Sequence, residues 1–201
     1  MQRKCLVSGV YFGTLCILKE NLTMRKVAII TVALLALLLL SSTAASQVTR
    51  TAASDDARHF GADLIGAQEV PPVATETEGD ITVRFDRELT EARFRLNVED
   101  GVAVTMAHLH CAPTGVNGPV VAFLFCMVPG GFDVDGRLAK FTLKDANITA
   151  ITPHPDCMTT IGMDITSIAD LAQAVRAGKI YANVHTVAHP SGEIRGQLTE
   201  D

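Results

Sequence analysis

Ala92-Arg93-Phe94-Arg95-Leu96-Asn97-Val98 alternates apolar and polar side chains without a break. A period of two places Ala92, Phe94, Leu96 and Val98 on one face of a β-strand and Arg93, Arg95 and Asn97 on the other, so the strand has a dry side and a wet side. Upstream, Ile81, Val83 and Phe85 alternate in the same way with Thr82, Arg84 and Asp86, and a polar stretch over 87–91 joins the two runs. Together they read as an antiparallel hairpin with one solvated face.

The same pattern extends down the chain. Residues 119–126 are apolar at nearly every position, as in a strand covered on both sides, and 137–144, 179–186 and 192–199 supply further strands. One helix is predicted near 167–177. Ser167 and Asp170 form a variant capping box, Ile168, Leu171, Ala172 and Val175 fall at helical spacing, and Gly178 stands where a left-handed C-terminal residue is wanted. Asn117-Gly118 reads as a turn needing positive φ, and Asp133-Val134-Asp135-Gly136 as a tight turn that lacks the later glutamate of a calcium loop. About eight short strands, one short helix and Gly/Pro-rich turns predict an all-β domain, a Greek-key β-sandwich.

The start of the chain addresses a compartment. Met24-Arg25-Lys26 is a short basic head, 27–40 is apolar apart from Thr31, and Ser41-Ser42-Thr43-Ala44-Ala45 offers small residues for cleavage. That order is a secretory signal peptide over 24–45. Its apolar run is shorter than the roughly 20 residues of a spanning helix, so export is preferred to an uncleaved membrane anchor. Residues 1–23 read as a mis-assigned start or extended leader, 46–57 as a polar linker, and 58–201 as the folded domain. Cleavage after Ala45 removes five basic residues and one acidic residue, taking the formal charge from −5 to −9. Such an acidic chain argues against nucleic acid and anionic membrane as partners, because both demand basic surfaces. Cys111, Cys126 and Cys157 remain, and an exported chain is expected to form a disulfide within this trio, with all three pairings open.

Three blocks resemble the CHRD domain, the module repeated in chordin and also found singly in exported bacterial proteins. They are Leu64-Ile65-Gly66-Ala67-Gln68-Glu69-Val70-Pro71-Pro72-Val73 with Gly79, then Ala107-His108-Leu109-His110 through Val121, and finally Tyr181-Ala182-Asn183-Val184-His185-Thr186 through Leu198. The resemblance implies an immunoglobulin-like or closely related sandwich outside the cytosol. It implies no activity, cofactor or catalytic residue. The cysteines and the insertion-like stretch over 146–165 depart from the family pattern.

The histidines carry what chemistry is legible. His108 and His110 lie two apart and so project from one strand face, a spacing that lets two imidazoles approach one metal. His185 lies on the polar side of its strand with Tyr181 and Asn183, and it shares a surface with Arg195 if the last two strands are neighbours. A His-x-His pair on a sandwich is similar in architecture to copper–zinc superoxide dismutase, but no His-rich loop with a closing aspartate follows. The bland alternative makes His108 and His110 packed histidines that hydrogen-bond the loop over 111–119. Glu193 and Arg195 read as an exposed ion pair of small energy. No nucleophile constellation, phosphate cradle or pair of acids in a cleft is present in the sequence.

The leading expectation is an exported, non-enzymatic binding or structural module with no cofactor. Its partner would be an extracellular or periplasmic protein, met through the loops over 111–119 and 187–192. The alternative, from another class, is a copper- or zinc-type redox or metal-handling protein using His108 and His110, with His185 as the third candidate.

Overall fold

The computed structural model describes residues 58–149 and 156–201. The signal peptide over 24–45, the stretch over 1–23, the linker over 46–57 and His154 lie outside the described residues. Eight strands carry the described fold: β1 (His59–Ile65), β2 (Glu78–Phe85), β3 (Ala92–Cys111), β4 (Val120–Phe125), β5 (Phe132–Leu143), β6 (Ile180–Thr186), β7 (Ile194–Gln197) and β8 (Thr199–Glu200). Among the described residues three short helices sit between β5 and β6: α1 (Asp145–Thr149), α2 (Cys157–Ile161) and α3 (Ile168–Arg176). Among the described residues no helix is long and apolar enough to cross a membrane.

The hairpin read from the sequence is present as β2–β3, with Phe85 opposite Ala92 and Glu78 opposite Glu99. Its loop is organised by Asp86, whose carboxylate accepts from the backbone N–H of Thr90 and Glu91, both at 2.8 Å. The helix is also present, two residues shorter than expected at its extremes. Ser167 is its N-cap and accepts from the Asp170 N–H at 3.1 Å, the Asp170 carboxylate accepts from the Ser167 hydroxyl, and Gly178 follows at φ 65°.

The layering differs from the expected two-sheet Greek-key sandwich. All eight strands are hydrogen-bonded into one sheet, and the pairs β1–β2, β2–β3, β3–β6, β6–β7 and β7–β1 close into a five-strand ring. The reason is the length of β3. Over its 20 residues it pairs with β2 and β5 through its first half, then with β6 and β4 through its second. Register shifts between Val98 and Gly101, and between Gly101 and Val104, bend the strand between the two halves. Asp100 and Ala103, both at positive φ, lie in this bend. Bulges of this kind re-aim a strand and let a sheet close on itself. The interior is filled by Leu64, Ile81, Phe85, Leu96, Leu109, Val184 and Ile194, among others.

Three local expectations are corrected. Asp133–Gly136 is no turn: it lies within β5, where the Asp133 carboxylate accepts from the Ala103 N–H at 3.0 Å; Gly136 keeps a positive φ of 121° inside the strand, and the turn falls earlier, at Gly130 and Gly131. Gly118 needs closeness rather than positive φ, because a Cβ there would collide with the Cys111 carbonyl, and the left-handed residue of that loop is Gly115. β4 is hydrogen-bonded to β3 alone and leaves Phe123 exposed, so it is an edge strand rather than one covered on both sides. Of the three cysteine pairings left open, Cys111–Cys157 is formed, tying α2 to the end of β3. A disulfide fits an oxidising compartment.

Candidate metal centre

Residues 107–111 at the end of β3 and the whole of β6 are buried on both faces. Ala107, Leu109 and Cys111 stand opposite Val184, Ala182 and Ile180 and face the interior. The alternate residues occupy the outer face, where His108 is opposite Asn183, His110 opposite Tyr181, and Met106 opposite His185. β7 extends the grid by setting Arg195 beside Asn183 and Gln197 beside Tyr181. The expected neighbourhood of the last two strands is therefore real.

Two loops cover this outer face, and hydrogen bonds hold them down. Arg195 donates to the Asn117 side-chain oxygen at 3.1 Å and to the Val116 carbonyl at 2.8 Å. Asn117 in turn donates to the Val70 carbonyl at 2.8 Å, and the Gly118 N–H donates to the Tyr181 hydroxyl at 3.2 Å. The Arg195 guanidinium lies 3.4 Å over the Tyr181 ring, on which His110 also stacks with ring centroids 4.8 Å apart. The second loop returns Pro190 to His185 and carries Glu193, whose carboxylate accepts from the hydroxyls of Thr75 and Thr186. The exposed Glu193–Arg195 ion pair expected from the sequence is thus absent: Glu193 is 7% and Arg195 2% exposed, and each has other partners. Alternation put both on an outer face correctly, and the loops then buried that face.

His108, His110 and His185 come together under this cover. Each offers one ring nitrogen, and the three nitrogens lie within 4.8 Å of one another. Backbone carbonyls fix two of the tautomers. His110 Nδ1–H donates to the Gly118 carbonyl at 2.8 Å, and His185 Nδ1–H donates to the Pro190 carbonyl at 3.0 Å. A carbonyl only accepts, so each of these rings carries its proton on Nδ1 and presents a lone pair at Nε2. His108 Nδ1 lies 3.0 Å from His185 Nε2, and its ring meets Phe123 edge-on at 4.6 Å. The packed-histidine reading is right about the His110 contact with the loop, but that contact also aims the ring.

Burial makes the charged forms costly. It pushes His108 down to about 3 and His110 down to about 4, and it lowers His185 as well. The neighbouring imidazoles add to the depression of His108 and His110. All three rings are neutral at physiological pH, the form that binds metal. Imidazole nitrogens without thiolate or carboxylate suit zinc, copper, iron or nickel, and do not suit calcium or magnesium, which require oxygen donors.

Two buried groups beside the cluster were not singled out as site residues by the sequence. Asn183 is 3% exposed, with Oδ1 at 3.0 Å from His110 Nε2 and 3.1 Å from His185 Nε2. Its signal was the alternation Tyr181-Asn183-His185, which named the face but not the contact. Glu69 is 5% exposed; burial raises its pKa, while the Arg195 charge, the Val70 backbone and the Asn183 amide pull it back. No local pattern couples residue 69 to residue 183. His59 lies on β1 and His189 in the covering loop, and neither belongs to the cluster.

A family model described as the CHRD domain matches residues 60–198. No curated protein and no solved structure matches the chain. The matched span takes in the opening block with Glu69, the middle block with His108 and His110, and the closing block with Asn183, His185 and Arg195. The chain belongs to the CHRD domain family.

Proposed function

We propose that this chain is an exported, non-enzymatic binding module that holds one transition-metal ion of copper or zinc type through His108, His110 and His185. The observation that carries the reading is the convergence of three buried, neutral imidazoles, two of them aimed by backbone carbonyls. An outer-sphere hydrogen bond of this kind is what orients metal-ligating histidines. A strand pair that merely packed histidines would not need two fixed Nε2 lone pairs facing one point. The rings are at most 8% exposed under two anchored loops, which suits retention of an ion better than turnover of a substrate. The family supports a binding role, and the disulfide supports export. Those same covering loops, over 111–119 and 187–192, are the surface that an extracellular or periplasmic protein partner would meet.

The test is metal analysis of full-length protein purified without a histidine tag and loaded with zinc(II) or copper(II). About one equivalent is expected in the wild type, and none in the His108→Ala/His110→Ala double variant. Sub-stoichiometric metal in both proteins would overturn the proposal. Equal loading of both would show that these ligands are wrong.

A further inference from the structure

Three acceptor atoms meet at the centre of the cluster. Asn183 Oδ1 faces the Nε2 atoms of His110 and His185 at 3.0 and 3.1 Å, yet both rings already place their proton on Nδ1. Two lone pairs turned toward an amide oxygen at that distance repel unless a cation lies between them.

The way the amide points is itself determined. Among the described residues Glu69 Oε1 is buried without a hydrogen-bond partner, and the Glu69 carboxylate faces the Asn183 amide nitrogen. Both approach Gly192 so closely that a Cβ there would meet Glu69 Oε1 and also the Asn183 amide nitrogen, the latter at 2.9 Å. An amide N–H₂ can satisfy a carboxylate, whereas an amide oxygen turned toward it would oppose acceptor to acceptor. The carboxylate therefore directs Oδ1 toward the histidines, and Arg195 balances its charge.

We infer that Asn183 Oδ1 is the fourth donor of the centre, completing a set of three imidazole nitrogens and one amide oxygen, and that Glu69 is the positioning residue that holds it there. The inference rests on the metal-binding reading above. Three of the donor–donor edges are 3.0, 3.0 and 3.1 Å in the fold. Two ligands at about 2.0 Å from a tetrahedral ion stand about 3.3 Å apart, so these three edges need to open by only a few tenths of an ångström. A closed set of four neutral donors is the pattern of a storage or structural site rather than one with an open reaction position.

The test uses full-length protein with zinc(II) affinity measured by chelator competition and cobalt(II) as the spectroscopic probe. Asn183→Ala and Glu69→Gln should each weaken zinc binding by about 10- to 100-fold. Both should also shift the visible cobalt(II) bands, while the metal-free proteins keep the wild-type circular dichroism. Asn183→Asp, which retains an oxygen donor, should keep the band pattern and bind at least as tightly, and it serves if Asn183→Ala does not fold. Wild-type affinity and wild-type bands in Asn183→Ala would overturn the fourth-donor assignment while the histidine site stands. An effect in Asn183→Ala with none in Glu69→Gln would overturn the positioning role alone. Failure of the wild type to bind zinc or cobalt would overturn the histidine reading itself.

Discussion

The two halves of β3 obey one periodicity and live in different environments. In the first half Ala92, Phe94, Leu96 and Val98 are buried, while Arg93, Arg95 and Glu99 are exposed. In the second half the inward residues Ala107, Leu109 and Cys111 are buried in the same manner, but the outward ones, His108 and His110, are buried too. What changes is the cover. On an open face a polar side chain meets water and costs nothing; on a covered face it must find partners within the protein. Each imidazole of the second half has such a partner, and Arg93, at 70% side-chain exposure, makes a loose ion pair with Glu91. The bend between the halves is where a generic sheet surface becomes an organised interior.

The largest expected effect separates the halves by pH. His108 and His110 sit at about 3 and about 4 in the fold, against about 6.5 for an unfolded histidine. The fold disfavours their protonated forms, so the unfolded chain binds more protons between these values. Their contribution to stability is complete above about pH 6.5 and falls as pH drops toward 4, by up to about 1.4 kcal/mol per pH unit for each ring. Urea unfolding of the metal-free protein from pH 7 to 4.5 should show this decline, and the His108→Ala/His110→Ala variant should flatten it. A wild-type profile as flat as the variant's would mean that the second half is not covered as described.

Inside the ring the halves should behave alike. Leu109→Ala removes a fully buried side chain and should cost about 2–5 kcal/mol, and Leu96→Ala in the first half should fall in the same range. A smaller effect follows from the cover itself. Arg195→Met keeps the bulk of the side chain but loses the hydrogen bonds to Asn117 and Val116, and should cost about 1–3 kcal/mol in the same assay. Smallest of all, Arg95→Ala on the open face should change stability by less than about 0.5 kcal/mol. An Arg195→Met protein as stable as Arg95→Ala would erase the distinction between the two outer faces.

Sequence reading reached the two halves unequally, for physical reasons. The β2–β3 hairpin and the α3 cap depend on near neighbours, so local patterns reveal them. The closed ring depends on Ile65 pairing with Arg195 and on a bend around Gly101, neither of which leaves a periodic mark. His108, His110 and His185 were legible as one face because alternation fixes side-chain direction. Charge then misled: Glu193 and Arg195 carry the residue types of a solvated surface, and only the folded loops show that the surface is covered. Asn183 and Glu69 combine both difficulties, since their meaning lies in a contact between the first and last blocks of the domain.

The most direct measurement is X-ray absorption at the metal edge of the full-length protein loaded with one equivalent of zinc(II). The expected spectrum shows a four-coordinate ion with back-scattering from three imidazoles, one oxygen and no sulfur. A spectrum with a single imidazole, or dominated by oxygen or sulfur, would contradict the assignment of His108, His110 and His185 as a common centre.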